Sequence, residues 1–336
     1  MIAPDAAGRP GAGTGNARMS HRRLQSAHER RARAHSAGRI SPSVLATLAT
    51  LAALSALAGP GGQARAADGA TRPLPTAVTA STVAFDSADG RTRLIGYLFR
   101  PAGKGPFPAI VLMHGRAGLY SSLPGSTVSL ESLSVRHRYW ARFLANEGYV
   151  ALLVDGFAPR GYPAGFGRGT YASRPPEVSE QTVRPLDADG AAAYLKARDD
   201  VIAERIGLLG WSNGAMSAIA RITRPAAPGD PFRAAIALYP GCVIPEREGA
   251  RPTVPLLLLV AGEDDEVSPQ RCANWAGAVA PSAPGFVWQR YEGAAHNFDG
   301  LALGTRASAA DRLAAAAAET RARAFLAHHL GPVRPE

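Results

Sequence analysis

The sequence predicts a doubly wound, mostly parallel α/β sheet, and three observations lead there. Apolar runs such as "AIVLM" (109–113), "ALLV" (151–154) and "LLLLVA" (256–261) are continuous rather than alternating. That is how parallel strands covered on both faces read. Segments of helical period lie between these runs. Finally, "LLGWSNG" (208–214) ends a strand-like run in a serine flanked by glycines, and small residues suited to a helix follow. A nucleophile held on a sharp strand-to-helix turn has this pattern.

Residues 1–66 read as a signal peptide. The stretch to residue 42 is rich in Arg, His, Gly and Ser, and "VLATLATLAALSALA" (44–58) is a charge-free apolar run. Small residues up to Ala66 then form an A-x-A cleavage site. The run is short for a bilayer span, so export without stable membrane insertion is expected. Without this leader the chain keeps 28 basic and 25 acidic residues. The high sequence pI is thus a property of the leader, and no basic patch interleaved with aromatics points to nucleic acid. Residues 67–88 read as an N-terminal tether and 89–332 as one catalytic domain, long enough to bury a core.

Within that domain, strands are expected at 93–100, 107–114, 148–157, 206–211, 234–240, 254–262 and 286–293. Helices are expected near 132–147, 184–198, 213–223, 269–280 and 306–329. In the last of these, Ala314, Ala318, Ala322 and Phe325 share one face. Residues 158–183 carry four glycines and little periodicity. A loop that long at the carboxyl end of a strand reads as a pocket wall or lid. Cys242 and Cys272 are the two cysteines, with no CxxC pair and no Cys/His cluster at zinc spacing. Neither a metal nor a cofactor is called for.

Serine is a weak nucleophile unless a base lies within hydrogen-bond reach and a third group orients that base. In such a sheet the expected order is serine, acid, histidine, each on a loop at a strand's carboxyl end. Ser212 is followed by the acidic loop "EDDEVSP" (263–269) and then by His296 in "GAAHNF" (293–298). Of the other histidines, three lie in the leader and two end the last helix. His137 sits in the charged stretch "RHRYW", expected on a solvated face, and His114 precedes a glycine loop as a structural hydrogen bonder. His296 is therefore the expected base. Asp265 is the expected acid, Asp264 the alternative, and Glu266 is expected to face water. Oxyanion donors are expected from the backbone N–H groups of Asn213, which starts the helix after Ser212, and of Arg116 in the loop "GRAGLYSS". Arg160 and Arg168 in the long loop read either as contacts for an anionic substrate or as solvated charges.

Taken together, "HGRAG", "ANEGYVALLVDGFAPRG", "GLLGWSNGAMSA", "YPGC", "GEDDEVSP" and "YEGAAHNFD" resemble the dienelactone hydrolase family of α/β-hydrolases, over about residues 90–330. The resemblance implies an α/β-hydrolase fold without a large cap domain and a nucleophile–Asp–His triad at Ser212, Asp265 and His296, with Arg116 and Asn213 at the oxyanion positions. Two departures stand out. The founding enzymes use a cysteine nucleophile where this chain has Ser212, and carry a glutamate where it has Gly115. A serine triad suits ordinary carboxylic esters, so a carboxylesterase-like enzyme acting on a small ester is expected. An acyltransferase and a true dienelactone (carboxymethylenebutenolide) hydrolase are the alternatives. In this fold Cys242 and Cys272 follow consecutive strands, which predicts a Cys242–Cys272 disulfide pinning the acid loop.

Overall fold

The computed structural model describes residues 78–121, 127–225, 229–300 and 307–331. The leader and the first part of the expected tether lie outside them. Eight strands form one open sheet in the order β1-β2-β4-β3-β5-β6-β7-β8. They are β1 (Thr79–Asp86), β2 (Arg93–Arg100), β3 (Phe107–Met113), β4 (Val150–Asp155), β5 (Val201–Trp211), β6 (Phe232–Leu238), β7 (Leu256–Ala261) and β8 (Phe286–Tyr291). β2 is antiparallel to both its neighbours, while every pair from β4 to β8 is parallel. The seven expected strands all form. β1 was not expected, and it occupies part of the segment read as a tether. Its sequence, TASTVAFD, is half polar and mostly solvent-exposed, so the ladder to β2 holds it together with Phe85 and Val83, the two side chains it turns to the core.

Register explains why the central strands are apolar at every position. Leu153, Leu112, Leu209, Ile236 and Leu257 lie side by side across the sheet and face one hydrophobic core. Their chain neighbours Leu152, Val111, Leu208, Ala235 and Leu256 face the other. Helices α1 (Val135–Asn146) and α6 (Ala309–Leu330) cover the first face through Trp140, Ala141, Ala314, Ala318, Ala322 and Leu326. Helices α2 (Arg184–Lys196), α3 (Asn213–Ile222) and α5 (Pro269–Val279) cover the second through Ala188, Ala215 and Trp275. α4 (Val243–Glu248) is a short turn of helix after β6. Truncating any central leucine of these rows to alanine would cost about 2–5 kcal/mol. Among the described residues no helix is long and apolar enough to cross a membrane.

Strand order reverses about β3, between β4 on one side and β5 on the other. The loops that leave the carboxyl ends of β3, β5, β6, β7 and β8 therefore gather along one rim, where open α/β sheets bind ligands.

Candidate active site

Ser212 lies between the end of β5 and the start of α3, with φ 50° and ψ −114°. This is a backbone conformation that a residue with a side chain adopts only when its surroundings enforce it. The enforcement comes from packing. A Cβ on Gly210 would collide with the carbonyl of Gly214, and one on Gly214 with the carbonyl of Met113. Only glycines at both positions let β5, β3 and the first turn of α3 approach this closely. The main-chain N–H of Ser212 is tied to Leu238 O of β6 at 2.9 Å.

The loop after β8 brings His296 to the serine, with Nε2 2.9 Å from Ser212 Oγ. Its Nδ1 lies 2.7 Å from Asp264 Oδ2. A carboxylate facing Nδ1 assigns the ring proton to that nitrogen and leaves Nε2 free to accept the serine proton. Ring contact with Tyr239, 4.8 Å between centroids, packs the imidazole from one side. Ala295 N, just before the histidine, donates to Asp311 Oδ1 at 2.8 Å, which ties this loop to the capped start of α6.

The carboxylate that meets His296 belongs to Asp264, not to Asp265. Asp265 is 67% exposed and pairs with Arg168 of the long loop at 3.0 Å, while the Asp264 side chain is 1% exposed. The cause is local. Asp264 Oδ1 accepts the N–H groups of Glu266 and Val267 at 2.9 and 3.0 Å, the turn that an aspartate imposes on its own backbone. With Oδ1 engaged there, Oδ2 is turned to the imidazole. The bond from Glu263 N to Ala294 O keeps the β7 and β8 loops side by side.

Glu266 does not face water as expected. Arg116 grips it through Nε at 2.7 Å and Nη2 at 2.6 Å, and Glu266 Oε2 lies 3.8 Å from His296 Nε2. Burial alone would raise its carboxyl pKa, but the Arg116 hydrogen bond and the nearby imidazole hold it below the usual glutamate range. This forked pair ties the acid loop to the β3 loop, whose Gly115 abuts Ser212. Asn213 opens α3 directly after the serine. Its side chain accepts from buried Arg184 and donates to Glu180 at 3.0 Å. Asn213 thus follows the serine directly and Arg116 follows Gly115, which abuts it, each with its side chain anchored.

His114 behaves as a structural group. Its Nδ1–H donates to Gly115 O at 2.7 Å and its Nε2 accepts from Gly156 N at 3.3 Å, and burial beside Arg184 pushes its pKa well down. His137, by contrast, is buried instead of solvated. It shares the inward stripe of α1 with Trp140 and Ala141, and its ring packs edge-on against Trp211, 5.3 Å between centroids. Arg160 is buried between Asp89 and Asp187 at 2.8 Å each, so its charge is spent inside the fold. The Cys242–Cys272 disulfide forms as expected, with Cα atoms 5.0 Å apart, joining the loop after β6 to α5.

Asp299 carried no sequence signal. Its carboxylate accepts from Trp140 Nε1 at 2.8 Å, Trp211 Nε1 at 2.9 Å and the Tyr239 hydroxyl. It thereby ties Trp211, the residue before Ser212, to the ring that packs on His296. Only convergence of four distant segments shows this role.

A profile of the dienelactone hydrolase family matches residues 94–330. The chain is 25% identical over 231 residues to a probable 2-oxo-3-(5-oxofuran-2-ylidene)propanoate lactonase of Bradyrhizobium sp., covering 65% of this chain and 85% of that protein. Among solved structures, it superposes on a Klebsiella pneumoniae subsp. pneumoniae MGH 78578 protein assigned to the dienelactone hydrolases, with TM-score 0.61 and 20% identity, over 75% of this chain and 99% of the other. A dienelactone hydrolase-like promiscuous phosphotriesterase from metagenomic libraries gives TM-score 0.58 and 19% identity, over 76% and 99%. At these identities the solved structures speak for the fold.

Proposed function

Because the chain belongs to the dienelactone hydrolase family and is an ester or lactone hydrolase, we propose that it is an exported serine carboxylesterase working through an acyl-enzyme on Ser212. The observation that carries this reading is the relay of 2.9 Å from Ser212 Oγ to His296 Nε2 and 2.7 Å from His296 Nδ1 to Asp264 Oδ2.

In the proposed cycle, Ser212 Oγ attacks the ester carbonyl as its proton passes to His296 Nε2. Asp264 keeps the other ring proton on Nδ1 and stabilises the imidazolium. The developing oxyanion is received by the backbone N–H groups of Asn213 and Arg116, each donor of this kind being worth ~10²–10³ in turnover. Nε2 then returns its proton to the departing alkoxide, leaving the acyl group on Oγ. Water, deprotonated by the same imidazole, releases the acid and restores the serine. The Arg116–Glu266 pair holds the β3 loop, and so its N–H, in position for this step. The disulfide favours an oxidising compartment, in keeping with the signal peptide expected at residues 1–66.

One experiment addresses both halves. Expressed in a bacterial host with its leader, the protein should be recovered outside the cytoplasm with Ala67 at its N-terminus. A fluorophosphonate should label it on Ser212, and Ser212→Ala should lose labelling together with ~10⁴–10⁶ of its esterase turnover. A folded Ser212→Ala protein with wild-type turnover would overturn the serine mechanism.

A further inference from the structure

Beside the relay lies a cavity of about 400 Å³ whose lining includes Tyr171, Met216, Val243, Ile244, Glu266 and Val267. Ser212 and His296 are not part of that lining, but two of its residues reach back to them. Met216 N, in the first turn of α3, bonds Ser212 O at 2.9 Å. Glu266 Oε2 lies 3.8 Å from His296 Nε2. The cavity thus begins one side chain away from the reacting atoms.

Its chemistry is one-sided. Glu266 is the one charged side chain in the lining, and its charge is taken up by Arg116 at 2.6–2.7 Å. Three arginines of the surrounding loops are committed elsewhere. Arg116 is bound to Glu266, Arg168 to Asp265, and Arg160 to Asp89 and Asp187. Val243, which lines the cavity, is 52% exposed, which leaves an apolar rim open to solvent. Tyr171 closes another side from the long loop, its hydroxyl 3.5 Å from Met216 Sδ and its face covered by the Arg174 guanidinium at 3.7 Å. Residues 158–183 therefore supply a pocket wall, as their length suggested. The disulfide fastens Cys242, another lining residue, to α5, so this wall is held at fixed width.

We propose that this cavity binds an uncharged apolar arm of the ester and sets the enzyme's selectivity for chain length. Ile244 and Val267 act as specificity residues. The inference rests on the serine esterase reading, since it places the arm relative to Ser212. The arm can belong to the acyl or to the alcohol side, and the two are told apart by varying each alone.

The test measures kcat/KM for p-nitrophenyl esters from acetate to decanoate and, separately, for alkyl acetates from methyl to octyl. In one series kcat/KM should rise about fourfold per methylene, as burial of a methylene group requires, and then level off. Ile244→Trp, which fills the cavity, should cut the ratio of long-chain to short-chain kcat/KM by about tenfold or more. Ile244→Ala, which widens it, should move the levelling point to longer chains. A flat response in both series, or an unchanged length profile in folded Ile244→Trp and Ile244→Ala proteins, would overturn the proposal. Ser212→Ala separates the two levels. If it still hydrolyses these esters, the parent reading fails. If it is inactive while the length profile ignores residue 244, the cavity assignment alone fails.

Discussion

Asp264 and Asp265 are neighbours in the chain, and the fold sends their carboxylates to opposite environments, one against the imidazole and one into solvent beside Arg168. The two substitutions should therefore differ sharply. Asp264→Asn keeps the size of the side chain but presents an amide that can favour the wrong imidazole tautomer, a change worth ~10⁴ in kcat at such a site. Asp265→Asn should leave kcat/KM for p-nitrophenyl acetate within about threefold of the parent enzyme. Equal losses in the two variants would contradict the geometry. The acidic loop was legible in the sequence as the source of the carboxylate that meets His296. The individual residue was not, because the choice depends on which carboxylate closes the turn onto its own backbone. Glu266 was misjudged for a related reason. Its partner Arg116 lies 150 residues away, and nothing local marks the pair.

At the scale of elements, the strands with two buried faces were the most readable, because burial on both sides demands apolar residues at every position. Strand β1 was unreadable because this edge strand turns only Val83 and Phe85 to the core, too short an apolar pattern to mark it. α1 shows the opposite failure. Arg136, Arg138 and Tyr139 surround His137 and make the segment look solvated, yet the stripe His137, Trp140, Ala141 and Leu144 is buried. The disulfide joins the loop after β6 to α5 across 30 residues. By the chain-entropy account a crosslink of this span contributes about 3–4 kcal/mol to stability. Reduction, or a Cys242→Ala/Cys272→Ala double substitution, should lower the urea midpoint accordingly. An unchanged midpoint after verified reduction would remove the disulfide from the stability argument.

Over the whole molecule, two buried histidines couple stability to pH. Burial, with Arg136 nearby, pushes His137 from the ordinary 6.5 down to about 3. His114 is pushed the same way by burial and Arg184. Each binds a proton more weakly folded than unfolded, so the unfolded chain takes up protons first as pH falls. Stability should be whole above about pH 6.5 and decline as pH drops from there toward 3, by several kcal/mol on an order-of-magnitude scale. Urea midpoints at pH 7.5 and 4.5 measure this, and His137→Gln should flatten part of the slope. A midpoint that does not fall between those pH values would count against buried neutral imidazoles.

By itself, the amino-acid sequence determined the parallel α/β sheet, the glycine-flanked serine turn, and the order in which serine, acid and histidine follow their strands. All of these are local, since period, glycine placement and chain order need no distant partner. Tertiary structure alone decided which aspartate meets His296, that Glu266 and Arg116 clasp beside it, that Asp299 gathers two tryptophans and a tyrosine, and where an apolar cavity opens. Each of those depends on the direction of a side chain toward a residue tens to more than a hundred positions away, and folding the sheet is what brings the two together.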